Sequence, residues 1–257
     1  MSVPATLVTL KRPEEIERMR QAGRILVDVL AVLKAELRPG ITTADLDEIA
    51  ERMIRDAGAT PSFKGYHGFT GSICASINDE VVHGIPSRRR RIADGDLLSL
   101  DVGCIWQGWH ADCARTWPVG GVPRGVEVLV DATRRGMEAG IAAARVGNRL
   151  GDVGHAIESV AQEHGYGVVR PFVGHGIGTE MHEDPQVPNY GRAGTGRRIE
   201  TGMCLAIEPM FTLGGDEVYV ERDGWTVRTR DGSLAAHFEN TIAISESGPE
   251  VLTPSPY

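Results

Sequence analysis

The stretch that decides the fold reads DLLSLDVGCIWQGWHADC, residues 96–113. An apolar run reaches a break near Trp106-Gln107-Gly108 and resumes as an apolar and aromatic run that continues to Trp117. This pattern predicts a β-hairpin. Asp101 and Asp112 lie symmetrically about the break, so a simple register places them directly opposite each other. Directly opposed side chains share a face of the sheet, with Cβ atoms roughly 4.5–5.5 Å apart.

Two carboxylates this close, in an apolar strand, repel each other, and the repulsion raises the pKa of one of them. A bound cation removes that cost, so the pair is a candidate metal site. Two hairpin-edge aspartates in solvent explain the same pattern. A bulge at Gly108 would also shift the register and weaken the argument. The pair alone therefore leaves both explanations open.

The hairpin belongs to a unit that occurs twice, with a constant offset of 107 residues (208 − 101). The matching segments are Arg38-Pro-Gly40 with Arg145-Val-Gly147, Asp45 with Asp152, Gly58 with Gly165, and Ile92–Asp101 with Ile199–Glu208. The unit consists of two helices followed by strands. In the first copy of the unit, Thr42-x-x-Asp45 is a capping-box pattern at the start of the second helix. The repeat also places Glu208 on its strand where Asp101 lies on the first, which makes Glu208 a third candidate ligand.

The repeat predicts an α/β (α+β) fold that is duplicated. Strands of both halves form a pseudo-two-fold antiparallel sheet, and helices cover its outer face. We expect an N-terminal arm over residues 1–12 and a single domain over residues 13–257. Within that domain the pseudo-repeats span about 13–120 and 121–250.

The composition is that of a globular protein, with 41% apolar and 24% charged residues in a chain of 257. The net charge of −8 gives no general basic surface for DNA. The basic run 88–91 is interpreted as a solvated loop, with an RNA or ribosome contact as the alternative. Four cysteines without C-x-x-C spacing indicate reduced thiols. The start of the chain lacks signal-peptide features, and no apolar run approaches a membrane span. We therefore expect a cytoplasmic protein with no membrane contact.

Five groups form a candidate metal centre: Asp101, Asp112, His175, Glu208 and Glu239. Each glutamate interrupts an apolar strand, where an unpaired charge is costly. Four carboxylates and one imidazole suit Mn²⁺, Fe²⁺, Co²⁺ or Zn²⁺ better than a thiolate zinc site does. Four carboxylates are too many for one small cation with open positions, and two metals roughly 3.5–4 Å apart fit better. Taken singly, each glutamate could belong to a buried ion pair, and His175 could be a turn histidine.

A series of motifs over about residues 10–250 makes the chain resemble the type I methionine aminopeptidases of bacteria. In order they are Ile77-Asn78, Val82-His83-Gly-Ile-Pro, Leu100-Asp101-Val-Gly, His110-Ala-Asp112, Gly174-His175-Gly-Ile-Gly, Met181-His182-Glu-Asp-Pro, Ala206-Ile-Glu208-Pro-Met, Asp223-Gly-Trp225-Thr and Glu239-Asn-Thr-Ile. The resemblance implies the duplicated pita-bread fold. It also implies a metalloprotease, an aminopeptidase that removes the N-terminal methionine from nascent proteins and peptides. We expect small second residues to be favoured.

The resemblance further implies a dinuclear site. Asp101, Asp112 and Glu239 would hold one metal, with Asp112 and Glu239 bridging to a second that His175 and Glu208 complete. The ions would be Co, Mn, Fe, Zn or Ni. Glu208 would act as general base, His182 would stabilise the oxyanion, and His83 would contact the scissile amide. On spacing alone, the last two are equally well explained as loop histidines.

The same resemblance implies a pocket for the methionine side chain. Its candidate substrate-binding residues are Tyr66, His67, Phe69, Cys74, His83, Met181, His182 and Trp225. Phe63, Phe69 and Met181 depart from the commonest family pattern but leave the pocket apolar. Taken singly, the aromatic residues are equally well explained as core or rim. A monovalent cation, Na⁺ or K⁺, would bind near Asn78, Glu80 and Ala235 through carbonyl groups.

Two other functions stay open. An Xaa-Pro aminopeptidase or prolidase-like peptidase of the same fold would carry the same five ligands. A non-catalytic binding protein of this fold would be expected to lose ligands, whereas all five are present here. We expect a monomer that acts on the N-termini of nascent polypeptides or peptides. Its candidate ribosome contact comprises Arg222, Arg228 and Arg230.

Overall fold

The computed structural model describes residues 8–254. Residues 1–7 of the predicted N-terminal arm therefore lie outside the described residues. The rest of the arm has no helix or strand before residue 13. It is attached to the second half of the chain, because the Lys11 N–H donates to the Gly202 carbonyl at 2.7 Å.

Four helices and fifteen strands form within residues 8–254, together with a short 3-10 turn at Tyr66–Gly68. In chain order they are α1 (Pro13–Glu36), α2 (Thr43–Asp56), β1 (Thr60–Pro61), β2 (Ile73–Ile77), β3 (Glu80–Val82), β4 (Leu97–Trp106), β5 (Trp109–Pro118), α3 (Arg124–Ala143), α4 (Leu150–His164), β6 (Gly167–Val168), β7 (Gly174–Gly176), β8 (Glu183–Val187), β9 (Cys204–Ile207), β10 (Met210–Thr212), β11 (Val218–Val220), β12 (Val227–Thr229), β13 (Ala235–His237), β14 (Glu239–Ser245) and β15 (Gly248–Val251).

The central sheet of the described chain has nine strands in the order β1-β4-β5-β14-β9-β7-β8, with β2 also on β4 and β15 on β14. Every pairing is antiparallel. Strands of the first half meet strands of the second where β5 pairs with β14. Two smaller sheets have the orders β13-β10-β6 and β11-β12-β3.

The helices bury an apolar stripe against this sheet, as their spacing predicts. The first-half core joins α1 and α2 to β4 and β5, and the second-half core joins α3 and α4 to β9 and β14. The predicted capping box is present, since the Thr42 hydroxyl accepts from the Asp45 N–H at 3.1 Å. In return, the Thr42 N–H donates to the Asp45 carboxylate at 2.9 Å. No helix within residues 8–254 is long and apolar enough to cross a membrane.

The 107-residue offset also appears in the backbone. The isolated bridge Thr42–Arg91 matches the bridge Arg149–Arg198, and the strand start Leu97 matches Cys204. Left-handed glycines match as well: Gly40 (φ 94°) with Gly147 (φ 96°), and Gly95 with Gly202 (both φ 88°). Each pair performs the same local task in its half: it turns the chain after a helix, bridges two segments or starts a strand.

The predicted hairpin is present, but its predicted register is wrong. Trp106 pairs with Trp109, so the turn consists of Gln107 and Gly108 rather than being centred one residue earlier. Both turn residues have positive φ, 49° and 82°, as a two-residue type I′ turn requires. The turn was misplaced because glutamine is not among the residues that favour its first position.

The corrected register places Asp101 opposite Ala114 and Asp112 opposite Gly103. The two aspartates are therefore diagonal neighbours rather than a directly opposed pair. Because the shift is two residues and side chains alternate with a period of two, both carboxylates still lie on one face. Asp101 and Asp112 can therefore contribute to one site, although they do not face each other directly.

Candidate metal centre and substrate pocket

Five strands of the sheet bring the predicted ligands together. Asp101 lies on β4, Asp112 on β5, His175 in the middle of β7, Glu208 directly after β9, and Glu239 at the start of β14. These strands follow one another across the sheet in the order β4-β5-β14-β9-β7. Two repeats thus contribute to one site, although the ligands are up to 138 residues apart (239 − 101).

The ligand atoms are close enough to share a cation. One side-chain atom each from Asp112, His175 and Glu239 lies within 4.8 Å of the others. His175 Nε2 is 3.4 Å from Glu208 Oε1. The carboxyl groups of Asp101 and Asp112 are close enough for each to affect the pKa of the other. The five predicted ligands therefore form one cluster.

Burial makes the ionised carboxylates unfavourable at this site. It raises the pKa of Asp101 to about 7. Burial, followed by the neighbouring carboxylates, also raises the pKa of Asp112, Glu208 and Glu239 well above the usual range. A group of acids that must ionise together in a buried place needs positive charge. A divalent cation supplies it.

Unsatisfied oxygen atoms indicate where such a cation would bind. Asp101 Oδ1, Asp112 Oδ1 and Glu239 Oε1 are inaccessible to solvent and have no hydrogen-bond partner in the described part of the chain. Buried polar atoms are almost always paired, so three orphaned oxygens in one cluster require an explanation. A divalent ion with a preference for oxygen and imidazole ligands provides one, and the residues present fit it.

His175 is held in the tautomer that a ligand needs. Its Nδ1–H donates to the Gly176 carbonyl at 2.9 Å, which leaves Nε2 as the lone-pair donor facing Glu208. Burial, then His182, lowers the pKa of His175 to about 3. The imidazole is therefore neutral at physiological pH and available to bind a metal.

A cavity of about 120 Å³ opens beside the carboxylates. It is lined by Phe63, Tyr66, Phe69, Cys74, His83, Asp101, Asp112, His175, Met181, His182, Glu208, Trp225 and Glu239. All predicted ligands and all predicted pocket residues except His67 are in this lining. His67 is exposed, and its ring lies edge-on to Tyr66 with centroids 4.4 Å apart.

Phe63 lines the cavity, although it is not among the predicted substrate-binding residues and appears in the sequence analysis only as a departure from the family pattern. It packs over Gly103 on β4, where an added Cβ would lie 2.8 Å from Phe63 Cε1. In the same lining, Phe69 and Trp225 meet edge to face with centroids 5.1 Å apart. The available signal was the position of Phe63 three residues before Tyr66 in the same loop. The apolar end of the cavity is thus built by aromatic rings together with Met181 and Cys74.

Two further histidines face the cavity. His83 follows β3 in a left-handed conformation, with φ 61°, which costs energy for a non-glycine residue and is common at functional sites. Burial, then His182, lowers the pKa of His83 to about 4. The His182 ring is 4.3 Å from the His175 ring, and its Nδ1 is 2.7 Å from the Tyr66 hydroxyl. Tyr66 and His182 come from different repeats, and both line the cavity. Because their contact is exposed to solvent, we take it to mark the mouth of the cavity.

The predicted cation and ribosome contacts involve groups that already have partners. The Asn78 carbonyl accepts from the Ala235 N–H at 2.9 Å. The Glu80 carboxylate binds Arg90 at 2.5 Å and Arg228 at 2.7 Å. Arg228 also binds Asp79 and Glu221, at 2.7 and 2.8 Å. In the basic run 88–91, Arg88 pairs with Glu48 and the Arg91 guanidinium donates to the Gly40 carbonyl. Much of this positive charge therefore serves the fold.

Comparison with known proteins agrees with this geometry. The model of metallopeptidase family M24 matches residues 17–246. The chain therefore belongs to metallopeptidase family M24.

Similar proteins narrow the assignment within this family. A methionine aminopeptidase of Clostridium acetobutylicum is 51% identical over 247 residues, which cover 96% of this chain and 99% of that protein. Methionine aminopeptidase 1 of Mycobacterium tuberculosis is 50% identical over 245 residues, which cover 93% and 92%. Within family M24 the chain thus belongs with the bacterial, type I-like methionine aminopeptidases, and it is a metallo-aminopeptidase, a hydrolase.

Solved structures confirm the predicted fold. A methionine aminopeptidase of Thermotoga maritima has a TM-score of 0.95 at 43% identity, covering 96% of this chain and 99% of that one. A prolidase of Pyrococcus furiosus has a TM-score of 0.78 at 23% identity, covering 96% of this chain and 66% of that one. At that identity the prolidase supports the fold alone, which is the duplicated pita-bread architecture.

Proposed function

We propose that this protein removes the N-terminal methionine from peptides and nascent proteins, with two divalent metal ions in the carboxylate cluster. One observation carries the proposal: buried, unsatisfied carboxylate oxygens lie beside an apolar cavity of about 120 Å³ that also exposes histidines. The names of the relatives support methionine as the residue removed. The proposal treats residues 13–257 as one catalytic domain, because both repeats supply ligands.

Asp101, Asp112 and Glu239 would hold one metal ion, and Asp112, Glu239, His175 and Glu208 the other. When bound, the ions supply Lewis-acid activation of water and of the peptide carbonyl. The ion is drawn from Mn, Fe, Co, Zn or Ni, all of which suit this ligand set.

The protein groups supply proton transfer and orientation. Glu208 takes the proton of the attacking water and passes it to the departing amine. His182 donates a hydrogen bond to the carbonyl oxygen as negative charge develops on it. His83, held in its strained conformation after β3, orients the scissile amide. A substrate amide between these two histidines would be fixed relative to the carboxylates.

The cavity would accept the methionine side chain. Phe63, Phe69, Met181 and Trp225 supply an apolar wall, and thioether sulfur makes favourable contacts with aromatic rings. The second residue would lie toward the cavity mouth, where the Tyr66–His182 contact limits the space. Small second residues are therefore preferred in this proposal. The proposed substrates are nascent chains, so the proposal includes action in the cytoplasm near ribosomes. It also includes a monomeric protein.

Peptide cleavage tests the proposal directly. The protein is stripped with a chelator, reloaded separately with each of the five metals, and incubated with Met-Ala-Ser, Met-Leu-Ser and Ala-Pro-Ala. Mass spectrometry should show loss of methionine from Met-Ala-Ser, slower loss from Met-Leu-Ser, and an intact Ala-Pro-Ala. Equal cleavage of Met-Ala-Ser and Ala-Pro-Ala would favour the Xaa-Pro peptidase instead.

A variant pair separates catalysis from binding. Glu208→Gln should remove activity, whereas Glu200→Gln, which changes an exposed carboxylate shortly before β9, should leave it unchanged. If no metal gives activity and Glu208→Gln has no effect, the non-catalytic binding protein becomes the better explanation.

A further inference from the structure

The junction between the two repeats is an unusual piece of sheet. Strands β5 and β14 pair directly at two positions, Glu239 with Ala114 and Asn240 with Cys113. If the same register continued, residue 241 would face residue 112 and residue 237 would face residue 116. We call this junction, residues 112–116 and 237–241, the seam.

On both sides of the two direct pairs, threonine hydroxyls form the bonds to the facing strand that backbone groups form in a regular ladder. Thr241 Oγ1 accepts from the Asp112 N–H at 2.9 Å and donates to the Asp112 carbonyl at 2.8 Å. Thr116 Oγ1 does the same for His237, with both distances 2.8 Å. A side-chain oxygen thus stands where a direct backbone bond would be. The two strands are held at a defined separation without a continuous ladder.

Arg115 binds both strands of the seam from within the core. Its side chain has no solvent exposure. Nη1 donates to the carbonyls of Ala114 and Glu239 at 2.7 and 2.5 Å. Nη2 donates to Asn240 Oδ1 at 2.8 Å and to the Thr253 carbonyl at 3.2 Å. One guanidinium therefore joins β5, β14 and the segment after β15, in the planar multidentate manner that lysine cannot reproduce.

The seam carries the two proposed bridging ligands, one on each strand. Asp112 lies on β5 and Glu239 on β14, and both face the cavity. Arg115 follows Asp112 by three residues, so its side chain leaves the opposite face of β5. Burial, Glu208 and Asp101 raise the pKa of Glu239, and the Arg115 charge acts in the opposite direction. The separation of the two carboxylates thus depends on the seam rather than on a long ladder.

We propose that Arg115, together with the Thr116 and Thr241 hydroxyls, positions the metal centre by fixing the distance between Asp112 and Glu239. The inference rests on the proposed metal site. It assigns to Arg115 no contact with substrate or metal, so Arg115 is a positioning residue. Partners that orient metal ligands typically change metal affinity by about 10–100-fold when they are removed.

Metal affinity tests the role of Arg115 without a measurement of enzyme turnover. Calorimetric titration of the chelator-treated protein with Mn²⁺ should give about 10–100-fold weaker binding for Arg115→Met than for the natural protein. The visible absorption of the Co²⁺ form should change in the same variant, because the ligand geometry changes. Arg115→Lys keeps the charge but not the multidentate contacts. Its Mn²⁺ affinity should therefore lie between that of Arg115→Met and that of the natural protein.

Thr241→Val supplies a second test that keeps the size of the side chain. It removes both bonds to Asp112 and should weaken Mn²⁺ binding several-fold. Thr133→Val is the matched control. It also removes a fully buried hydroxyl, one that donates to the Leu129 carbonyl inside α3, and α3 contributes no residue to the cavity. The control should lose thermal stability with unchanged Mn²⁺ affinity.

Natural affinity and an unchanged Co²⁺ spectrum in a folded Arg115→Met protein would overturn the inference. If Arg115→Met does not fold, Thr241→Val decides, and unchanged Mn²⁺ affinity there overturns the inference equally. Failure of the natural protein to bind Mn²⁺ or Co²⁺, or to cleave Met-Ala-Ser, would instead overturn the proposed function.

Discussion

The two repeats have the same helices and turns but differ in the strands that carry the ligands. In the first repeat, β4 and β5 pair at ten consecutive positions. In the second, β9 ends after four residues, at Ile207. It pairs with the distant β14 rather than with β10, the next strand along the chain. The first repeat therefore supplies a long regular hairpin, and the second supplies a short strand inside the sheet.

The break has a simple local cause. Pro209 follows Glu208 directly, and proline has no N–H to donate to a ladder. The main chain therefore leaves the sheet at the position where a ligand is needed, and Glu208 Oε1 can approach His175 Nε2 at 3.4 Å. A duplicated fold can thus keep its helices in both copies while a strand in one copy ends early and orients a ligand side chain.

The largest effect is expected when the symmetry-related ligands Asp101 and Glu208 are each replaced. Glu208→Gln should lower kcat by about 10²–10⁴-fold, the usual contribution of a general base. Asp101→Asn should instead weaken binding of one metal equivalent. Asp101 lies on β4 of the first repeat and is assigned no proton transfer. Steady-state kinetics and calorimetry of both variants test this. Similar kcat losses at saturating metal would remove the proposed division of roles.

The next effect concerns His182 on the second repeat. His182→Ala should reduce kcat by about 10²–10³-fold with a smaller change in KM, because the lost hydrogen bond forms mainly in the transition state. Kinetics on Met-Ala-Ser at saturating metal provide the measurement. A rise in KM alone would instead show that His182 only binds substrate.

A smaller effect is expected where the repeats touch across the cavity mouth. Tyr66→Phe removes the hydroxyl that lies 2.7 Å from His182 Nδ1 but keeps the aromatic wall. A net hydrogen bond is worth about 0.5–1.5 kcal/mol, so kcat should fall by about 2–10-fold. Replacing the exposed His67 by alanine should change kcat less, and a larger loss there would assign the orienting role to His67.

The smallest effect distinguishes the matched helix starts. Thr42 caps α2 with its hydroxyl, whereas Arg149, its counterpart before α4, provides no side-chain acceptor. Thr42→Ala should lower the free energy of unfolding by about 1 kcal/mol. Arg149→Ala should lower it by less than about 0.5 kcal/mol, as surface substitutions do. Urea denaturation measures both, and equal losses would contradict the assignment of the cap.

Local signals were sufficient to predict much of this fold. The capping box at Thr42 is read from a few neighbouring residues. The 107-residue offset then related Asp101 to Glu208 without any structure. Spacing and chemistry together indicated the metal cluster, because carboxylates in apolar strands need a partner wherever the strands lie.

Three finer features were not predicted. The hairpin register failed because Gln107 and Gly108 form a turn whose first residue gives little signal. The break between β13 and β14 at Phe238, whose N–H donates to the Pro209 carbonyl at 3.3 Å, also leaves no signal in the neighbouring residues. Arg115 was visible as a lone charge in an apolar strand, but three of its four acceptors lie more than 120 residues away.

The contact between Phe63 and Gly103 has an evolutionary consequence. Even a methyl group at position 103 would collide with the ring that forms one wall of the cavity. Substitutions at the two positions are therefore not independent: Gly103→Ala is expected to be harmful alone and acceptable after Phe63 has become smaller. The order in which such changes occur would determine whether the cavity can change its size, and hence which inhibitors fit it.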